Sequence, residues 1–345
     1  MLARVQAAGL PTIELTQADA LRDRLMFERT PPIFAYVASP AAGDELLSVV
    51  RAQRPDAVAI DGMFGAALAV APQFGVPSGV IVHTFVRRMF AAWKANLAMQ
   101  SEGRVRAGFA PLPPIEELWG GREVIHSNSF ASLDLPEASP FARLRHGAPV
   151  LDQETRAVAP QLPWPADDAT PLVLLSFSTV TEQRQPAKLQ RALDALATLP
   201  VHVVATTGDI VDPADLSPPA NATVLRFASH DALLPRARFV VTHGGHGTAM
   251  RCLRAGVPMV CSPALAGDQP FVSAAVQDFG AGRALSGDPS TEEFHDAARA
   301  LLDDASYAAA ARRLADKFVG QDGAAAAAAS LETLLPAKIL AGAAA

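Results

Sequence analysis

The residues best suited to chemistry stand in a glycine-rich stretch, HGGHGT at 243–248, between an apolar segment and a helix-like segment. Glycines at such a junction let the backbone approach a ligand closely, and the start of a helix favours an anion through its N–H groups and dipole. Met250 takes the place of a third glycine and no GKS/T sequence follows, so neither the dinucleotide nor the P-loop fingerprint is met. The junction therefore predicts a phosphate site.

Two polar residues, Asp268 and Gln269, follow the next apolar segment, MVCSP at 259–263. Because the carboxyl ends of parallel strands meet at one edge of a sheet, these side chains are expected near the glycine-rich stretch, where they could hold sugar hydroxyls. His246 stands three residues after His243, but no carboxylate or cysteine is near in the sequence, so we expect no metal site.

Asp61 ends the apolar segment AVAID, and His83 lies in the apolar segment VIVHT. His83 could contact an acceptor molecule or act as a general base, and it could equally be a polar residue at the end of a strand. Asp61 has the same two interpretations, a catalytic residue or a solvated residue at a strand end.

The segments that must position these residues alternate between strand and helix patterns. In the first half, strands are expected at 57–61, 78–84 and 123–129, with a helical insertion at 85–120. From residue 172, six short strands alternate with helices, which is typical of a doubly wound parallel sheet. The predicted fold class is therefore α/β with two Rossmann-like domains.

A proline-rich segment without periodicity marks the expected domain boundary. The expected division is a first domain at 1–160, a linker at 161–170, a second domain at 171–322 and an Ala-rich tail at 323–345. The tail is helix-prone and of low complexity, and we expect it to carry no chemistry.

Composition limits the classes of function. Of the 345 residues, 50% are hydrophobic and 19% are charged, which excludes a disordered chain, and the length excludes a single small module. The net charge is −6 and no basic run occurs, so nucleic acid is not an expected partner. Neither a signal peptide nor a membrane span is expected, Cys252 and Cys261 are expected in the core, and a cytoplasmic location follows.

The run HGGHGTAMRCLRAGVPMVCSPALAGDQ at 243–269 resembles the donor-binding signature of nucleotide-sugar-dependent glycosyltransferases. These are enzymes of the GT-B fold, of the UDP-glycosyltransferase and antibiotic-macrolide type. LVLLSFSTV at 172–180 resembles the opening strand of their donor domain, and FASHDALLPRARFVVTHGG at 227–245 resembles the run before the motif. The resemblance covers nearly the whole chain, and it implies an acceptor-binding first domain and a donor-binding second domain.

The resemblance also implies roles for individual residues. The diphosphate of the donor would lie at His243 and the backbone amides after it, the sugar at Asp268 and Gln269, and the nucleobase within 227–230. The implied donor-binding residues are Ser178, His230, His243, Gly244, Gly245, Gly247, Thr248, Asp268 and Gln269. The implied reaction transfers a hexose-type sugar from a nucleotide diphosphate to a hydroxyl of a small, largely apolar acceptor. It needs neither a metal nor a cofactor beyond the nucleotide-sugar co-substrate.

Two features depart from this family's pattern. Relatives commonly carry Glu at the position of Arg251, where it grips the ribose hydroxyls, and arginine cannot accept those hydrogen bonds. Relatives also begin with a strand, a Gly-His turn and a helix, and the histidine of that turn is the base that an aspartate at the position of Asp61 orients. The sequence lacks this segment, so the first domain is expected to be incomplete at its N-terminus, with Asp61 and His83 as the candidate catalytic residues.

Two explanations of this difference stay open. Either the chain is truncated or its start is misassigned, or the protein has lost catalysis and keeps donor binding. Two other functions are therefore compatible with the sequence, a catalytically silent nucleotide-sugar-binding protein and a sugar-nucleotide epimerase on the same scaffold.

Overall fold

The computed structural model describes residues 2–17, 21–26, 32–136, 138–151, 160–165, 167–177, 185–264 and 267–336. The chain forms two compact units. One consists of Met1–Gly147 with Ala324–Ala345, and the other of Ala148–Gly323.

The first unit contains four parallel strands that lie side by side in chain order. They are β1 (Val58–Asp61), β2 (Ser78–Val82), β3 (Val124–Ser127) and β4 (Leu144–His146). The helices before the last strand are α1 (Leu2–Ala7), α2 (Arg22–Leu25), α3 (Pro32–Ala38), α4 (Pro40–Gln53), α5 (Gly65–Val70), α6 (Phe90–Arg106) and α7 (Ile115–Leu118).

Most of the predicted elements of this unit are confirmed. The strands β1, β2 and β3 lie where strands were expected, and α6 and α7 form the predicted helical insertion. Two details differ: β2 ends at Val82, one residue before His83, and β4 was not predicted. With three residues, β4 is too short for a periodic pattern, and it exists because it pairs with β3.

The second unit contains six parallel strands, β5 (Leu172–Ser176), β6 (His202–Thr206), β7 (Ala222–Leu225), β8 (Ala237–Thr242), β9 (Met259–Cys261) and β10 (Gly282–Ala284). Its helices are α8 (Pro186–Ala197), α9 (His230–Leu233), α10 (His246–Arg254), α11 (Gln269–Asp278), α12 (Thr291–Asp303) and α13 (Ala305–Ala315). Short 3-10 turns occur in both units, at Ala71–Gln73, Pro213–Asp215, Leu234–Arg236 and Asp316–Phe318. The predicted doubly wound parallel domain is confirmed.

The strand order of this second sheet is β7-β6-β5-β8-β9-β10. Along the chain, the strands extend first to one side of β5 and then, from β8 onward, to the other side. In sheets of this kind the order reverses between two central strands, and ligands bind at the carboxyl ends of the strands beside that point. The fold therefore directs attention to the ends of β5 and β8.

The core of the second unit lies under these strands. Leu193, Phe294 and Leu301 of α8 and α12 are buried in one cluster with the apolar side chains of β5, β6 and β8. Cys252 and Cys261 are both buried and form no disulfide, and their burial confirms the prediction that they are core residues.

The Ala-rich segment from residue 323 contains a last helix, α14 (Gly323–Glu332), and from Ala324 onward it belongs to the first unit. From the sequence, this segment was expected to be a separate tail. Two contacts account for the difference: Ser330 Oγ lies 2.8 Å from Nδ1 of the buried His126, and Leu334 is buried. A run of alanines gives no signal for such long-range contacts.

Candidate functional site

A cleft lies at the carboxyl ends of β5 and β8, where the strand order of the second sheet reverses. Its volume is about 340 Å³, and its lining comes from β5, β6, the segment after β7, α9 and α10. The lining residues are Ser176, Phe177, Thr206, Gly208, Arg226, Phe227, Ala228, His230, Gly247, Thr248 and Arg251. Three of the residues predicted to bind a donor, His230, Gly247 and Thr248, therefore line one cavity.

The glycine-rich stretch forms the loop from β8 into α10, as predicted. Gly244 is buried and has φ of +75°, a conformation that side chains disfavour, and a Cβ there would collide with Ser273 Oγ. Gly245 is the N-cap of α10, and a Cβ on it would lie 2.5 Å from Nε2 of His243. The backbone therefore requires glycine at position 244, whereas a side chain at position 245 would displace the His243 ring.

His243 lies over this loop and is partly buried. Burial lowers the pKa of His243 to about 4, a hydrogen bond with the backbone of Ser176 opposes the shift, and the positive charge of Lys188 adds to it. The imidazole is therefore neutral at pH 7 and has one N–H, which it can donate either to the Ser176 carbonyl or to an anionic oxygen. Its Nδ1 lies 3.4 Å from Oγ1 of Thr242, which limits the rotation of the ring.

Asp268 and Gln269 lie at the start of α11, beside the same loop. The Asp268 Oδ2 atom accepts a hydrogen bond from the backbone N–H of His246 at 3.1 Å. The Gln269 Oε1 atom accepts one from the backbone N–H of Ala264 at 2.8 Å. Asp268 thus fixes the start of α10, and Gln269 fixes the loop after β9.

His230 begins α9 and borders the cleft from the side of β6. Its Nε2 lies 3.4 Å from Thr206 Oγ1, which donates to Ser176 Oγ at 2.9 Å. Nearby, the Phe227 side chain is 65% exposed although it is large and apolar. An exposed aromatic ring on the wall of a polar cleft is suited to stacking against a flat ring of a ligand.

The cleft also contains two arginines. Arg251 Nη1 donates to Oδ2 of Asp231 at 2.8 Å, and Arg226 Nη2 donates to Oδ2 of Asp212 at 2.9 Å. Sequence reasoning identified Arg251 through its departure from a family pattern, but it missed Arg226. The only sequence signal for Arg226 is that it directly follows a strand of the predicted sheet.

Ser178, another predicted donor-binding residue, lies outside the described residues. Ser176 and Phe177, just before it, line the cleft.

The two candidate catalytic residues lie in the first unit, at the carboxyl edge of its sheet. Asp61 is the last residue of β1, is exposed, and accepts a hydrogen bond at Oδ1 from the backbone N–H of Met63 at 2.7 Å. His83 follows β2, is exposed, and its ring packs edge-on against Trp93 with 6.1 Å between ring centres. Asp61 pairs with Ile81 in the register of β1 and β2, so Asp61 and His83 lie at the carboxyl ends of neighbouring strands.

The loop after His83 is held by Asp134, a residue that sequence reasoning missed. Its carboxylate is fully buried and accepts hydrogen bonds from the backbone N–H groups of Val86, Arg87 and Arg88 at 2.8–3.0 Å. His146 Nε2 lies 2.9 Å from the same carboxylate. Burial alone would raise the pKa of Asp134, but the hydrogen bonds from His146 and the backbone outweigh it and lower that pKa.

Among the described residues, no group of three or more His, Cys, Asp and Glu side chains is arranged to hold a metal ion. Within the same ranges, no single helix is both long and apolar enough to cross a membrane. The helices α3 and α4 pass that test only as a pair, with a bend of 50° between them.

Comparison with known proteins identifies part of the chain. Residues 190–334 match the family described as the erythromycin biosynthesis protein CIII-like, C-terminal domain.

Two relatives and one solved structure extend this comparison. The chain is 34% identical over 194 residues to 4'-demethylrebeccamycin synthase of Lentzea aerocolonigenes, which covers 55% of this chain and 45% of that protein. It is 29% identical over 342 residues to the elloramycin glycosyltransferase ElmGT of Streptomyces olivaceus, covering 91% of this chain and 83% of the relative. The chain spans about half or less of the length of several other curated relatives that it matches.

The structure of CalG4, the calicheamicin glycosyltransferase, superimposes with a TM-score of 0.74 at 22% identity, covering 96% of this chain and 88% of that one. The chain has the GT-B fold. This confirms the fold class that the sequence predicts.

The matched segment, residues 190–334, contains most of the residues around the cleft. His230, the glycine-rich loop and the pair Asp268 and Gln269 fall within it, whereas Ser176 and Phe177 precede it. The match thus includes the loop and helix start that the sequence analysis selected first.

Proposed function

We propose that this protein is a glycosyltransferase. It transfers a hexose-type sugar from a nucleotide diphosphate to a hydroxyl of a small, largely apolar acceptor. The observation that carries the proposal is the glycine-rich loop at the start of α10, beside a cleft at the point where the strand order reverses. The relatives' names, a glycosyltransferase among them, support the same class of reaction.

The parts of the cleft suit the three parts of a nucleotide sugar. Phe227, exposed on one wall, would stack on the nucleobase. The N–H groups at the start of α10 and the neutral His243 would bind the diphosphate. Asp268 and Gln269, at the start of α11, would accept hydrogen bonds from the sugar hydroxyls.

In the proposed reaction, the acceptor oxygen forms a bond to the anomeric carbon while the bond from that carbon to the diphosphate oxygen breaks. The hydroxyl proton passes to a base, for which we propose His83 of the first unit, with Asp61 as a further catalytic residue. The electron pair of the broken bond stays on the diphosphate, where the α10 amides and His243 stabilise the charge. Attack from the face opposite the diphosphate inverts the configuration of the sugar.

The proposal is tested by incubating the protein with dTDP-glucose, UDP-glucose or GDP-glucose and a panel of apolar phenols and alcohols. Mass spectrometry should detect an acceptor that has gained one hexosyl group. His243→Ala should lose this product while its circular dichroism stays unchanged. His295→Ala, which alters a partly exposed histidine of α12, serves as the matched control and should keep full activity.

Other outcomes would favour the alternatives. Donor binding without a glycosylated acceptor would support a nucleotide-sugar-binding protein. An epimerised sugar nucleotide formed without acceptor would support an epimerase. Unchanged turnover in His243→Ala would contradict the proposed role of the loop.

A further inference from the structure

Lys188 is a buried cation beside the cleft that neither the sequence motif nor the proposed reaction uses. It lies in the first turn of α8 with 3% of its surface exposed. Its Nζ donates to the carbonyl oxygen of Ser262 at 2.8 Å and to that of Gly287 at 3.0 Å. These two carbonyls follow β9 and β10, so the ammonium lies at the carboxyl edge of the second sheet, as the cleft does.

Lys188 differs from the two arginines of the cleft wall in the groups with which it forms hydrogen bonds. Arg226 and Arg251 of the cleft wall each donate to an aspartate. In the described part of the chain, the hydrogen-bond acceptors of Lys188 are neutral carbonyls and none is a carboxylate. Asp288 acts on Lys188 only through its field, and it is ion-paired with Arg191.

A buried charge of this kind is costly. Desolvation of an ammonium is repaid only in part by neutral acceptors, and a methionine or leucine of similar volume would avoid the cost. Burial accordingly lowers the pKa of Lys188 to about 8, which leaves the side chain mostly protonated at pH 7. The residue therefore places a positive charge with little local compensation inside the second unit.

Two contacts and one electrostatic effect connect this charge with the cleft. The ammonium lies over the ring of Phe177, a lining residue, at 5.3 Å from its centre. Ser262, whose carbonyl it holds, donates its own N–H to the carbonyl of Thr242, the last residue before the glycine-rich loop. Its charge also acts on His243 above that loop.

We propose that Lys188 supplies the positive charge that stabilises the donor's diphosphate, acting through its electric field from behind the loop rather than by contact. Lys188 is thus a positioning residue: it fixes the ends of β9 and β10 and makes the region under the loop attractive to an anion. The inference rests on the proposed function, because it requires that a nucleoside diphosphate binds at this loop.

The test compares Lys188→Met and Lys188→Arg in binding of dTDP and UDP by calorimetry. Loss of one charge near a partly screened diphosphate should weaken binding about tenfold in the Met variant. The Arg variant keeps the charge and should recover most of the affinity. Lys317→Met, which removes an exposed lysine of the same unit, is the matched control and should bind as the wild type does.

A second readout separates charge from packing and needs no variant. Nitrogen NMR of the wild-type protein can follow the titration of Lys188 with and without bound nucleotide. A nearby diphosphate stabilises the ammonium, so the pKa of Lys188 should rise when the nucleotide binds. A merely structural lysine would titrate at the same pH in both states.

Equal loss of affinity in the Met and Arg variants, wild-type affinity in the Met variant, or an unchanged Lys188 titration would overturn the inference. If the wild-type protein binds no nucleoside diphosphate, the proposed function fails and this inference fails with it. If the wild type binds and Lys188→Met binds equally well, only the inference fails.

Discussion

The Asp268 carboxylate accepts a hydrogen bond from the backbone N–H of His246, with 3.1 Å between Oδ2 and the nitrogen. His246 is the first residue of α10, so this bond uses the first N–H of the helix and fixes the loop against α11. The next N–H groups, of Gly247 and Thr248, belong to residues that line the cleft. An anion at this helix start would therefore bind at Gly247 and Thr248, beside a carboxylate that can hold a sugar.

Asp268→Asn should separate the binding of the sugar from that of the diphosphate. The variant keeps an oxygen for the His246 N–H but loses a negative charge near the anion and an acceptor for hydroxyls. We expect affinity for the free nucleoside diphosphate to be equal or higher, and affinity for the nucleotide sugar to fall about tenfold. Calorimetry with dTDP and dTDP-glucose measures the two affinities. An equal loss of both affinities would contradict the assignment of Asp268 to the sugar.

His243 should make the protein less stable in acid. Its pKa in the folded state is about 4, below the unfolded value near 6.5, so the unfolded chain binds more protons between these pH values. The contribution of His243 to stability is therefore complete above about pH 6.5 and is lost as the pH falls towards 4.

Melting temperatures measured from pH 7 down to pH 4 check this expectation. The decrease should be smaller in His243→Gln than in the wild type, whereas His295→Gln should follow the wild type. Parallel curves for wild type and His243→Gln would show that the imidazole is not desolvated.

Arg251 should influence the choice of nucleotide. A guanidinium has no acceptor for the ribose hydroxyls, so the wild type should gain little from the 2′-hydroxyl. We expect dUDP and UDP to bind with similar affinity, and Arg251→Glu to favour UDP by about tenfold because a carboxylate accepts hydrogen bonds from the diol. The base is the same in both ligands, which makes the comparison specific for the ribose. An unchanged ratio in the variant would place the ribose elsewhere.

Asp134 should stabilise the first unit strongly. Asp134→Ala leaves three backbone N–H groups without the carboxylate that they share, which should lower the free energy of unfolding by about 3 kcal/mol or more. Trp93 and Trp119 lie in this unit and report its unfolding in urea. Asp56→Ala, at an exposed aspartate of the same unit, should change stability little. An equally small effect of Asp134→Ala would contradict the role given to this carboxylate.

The part of the site that was predictable from sequence depends on local chain geometry. A buried strand, a run of glycines and a helix follow each other within a few residues around Gly244, so the anion site can be read from the order of residue types. Asp268 could be placed beside it because parallel strands bring their carboxyl ends to one edge.

The residues that were missed act through contacts between distant parts of the chain. Lys188 holds the carbonyls of Ser262 and Gly287, and Asp134 holds the loop after β2. Neither residue type nor spacing indicates such contacts, because a lysine in a helix and an aspartate in a loop are usually solvated. The docking of α14 on the first unit was missed for the same reason.

Calorimetric titration of the wild type and of Gly244→Ala with dTDP, UDP and GDP tests the central claim most directly. An alanine at position 244 must adopt a positive φ, and its Cβ collides with Ser273. Gly320→Ala is the matched control, because it creates a similar backbone strain away from the cleft and its Cβ lies in open space. The account predicts saturable binding of at least one nucleotide by the wild type and Gly320→Ala, and binding weakened about tenfold or more in Gly244→Ala. No binding by the wild type, or undiminished binding by Gly244→Ala, would contradict it.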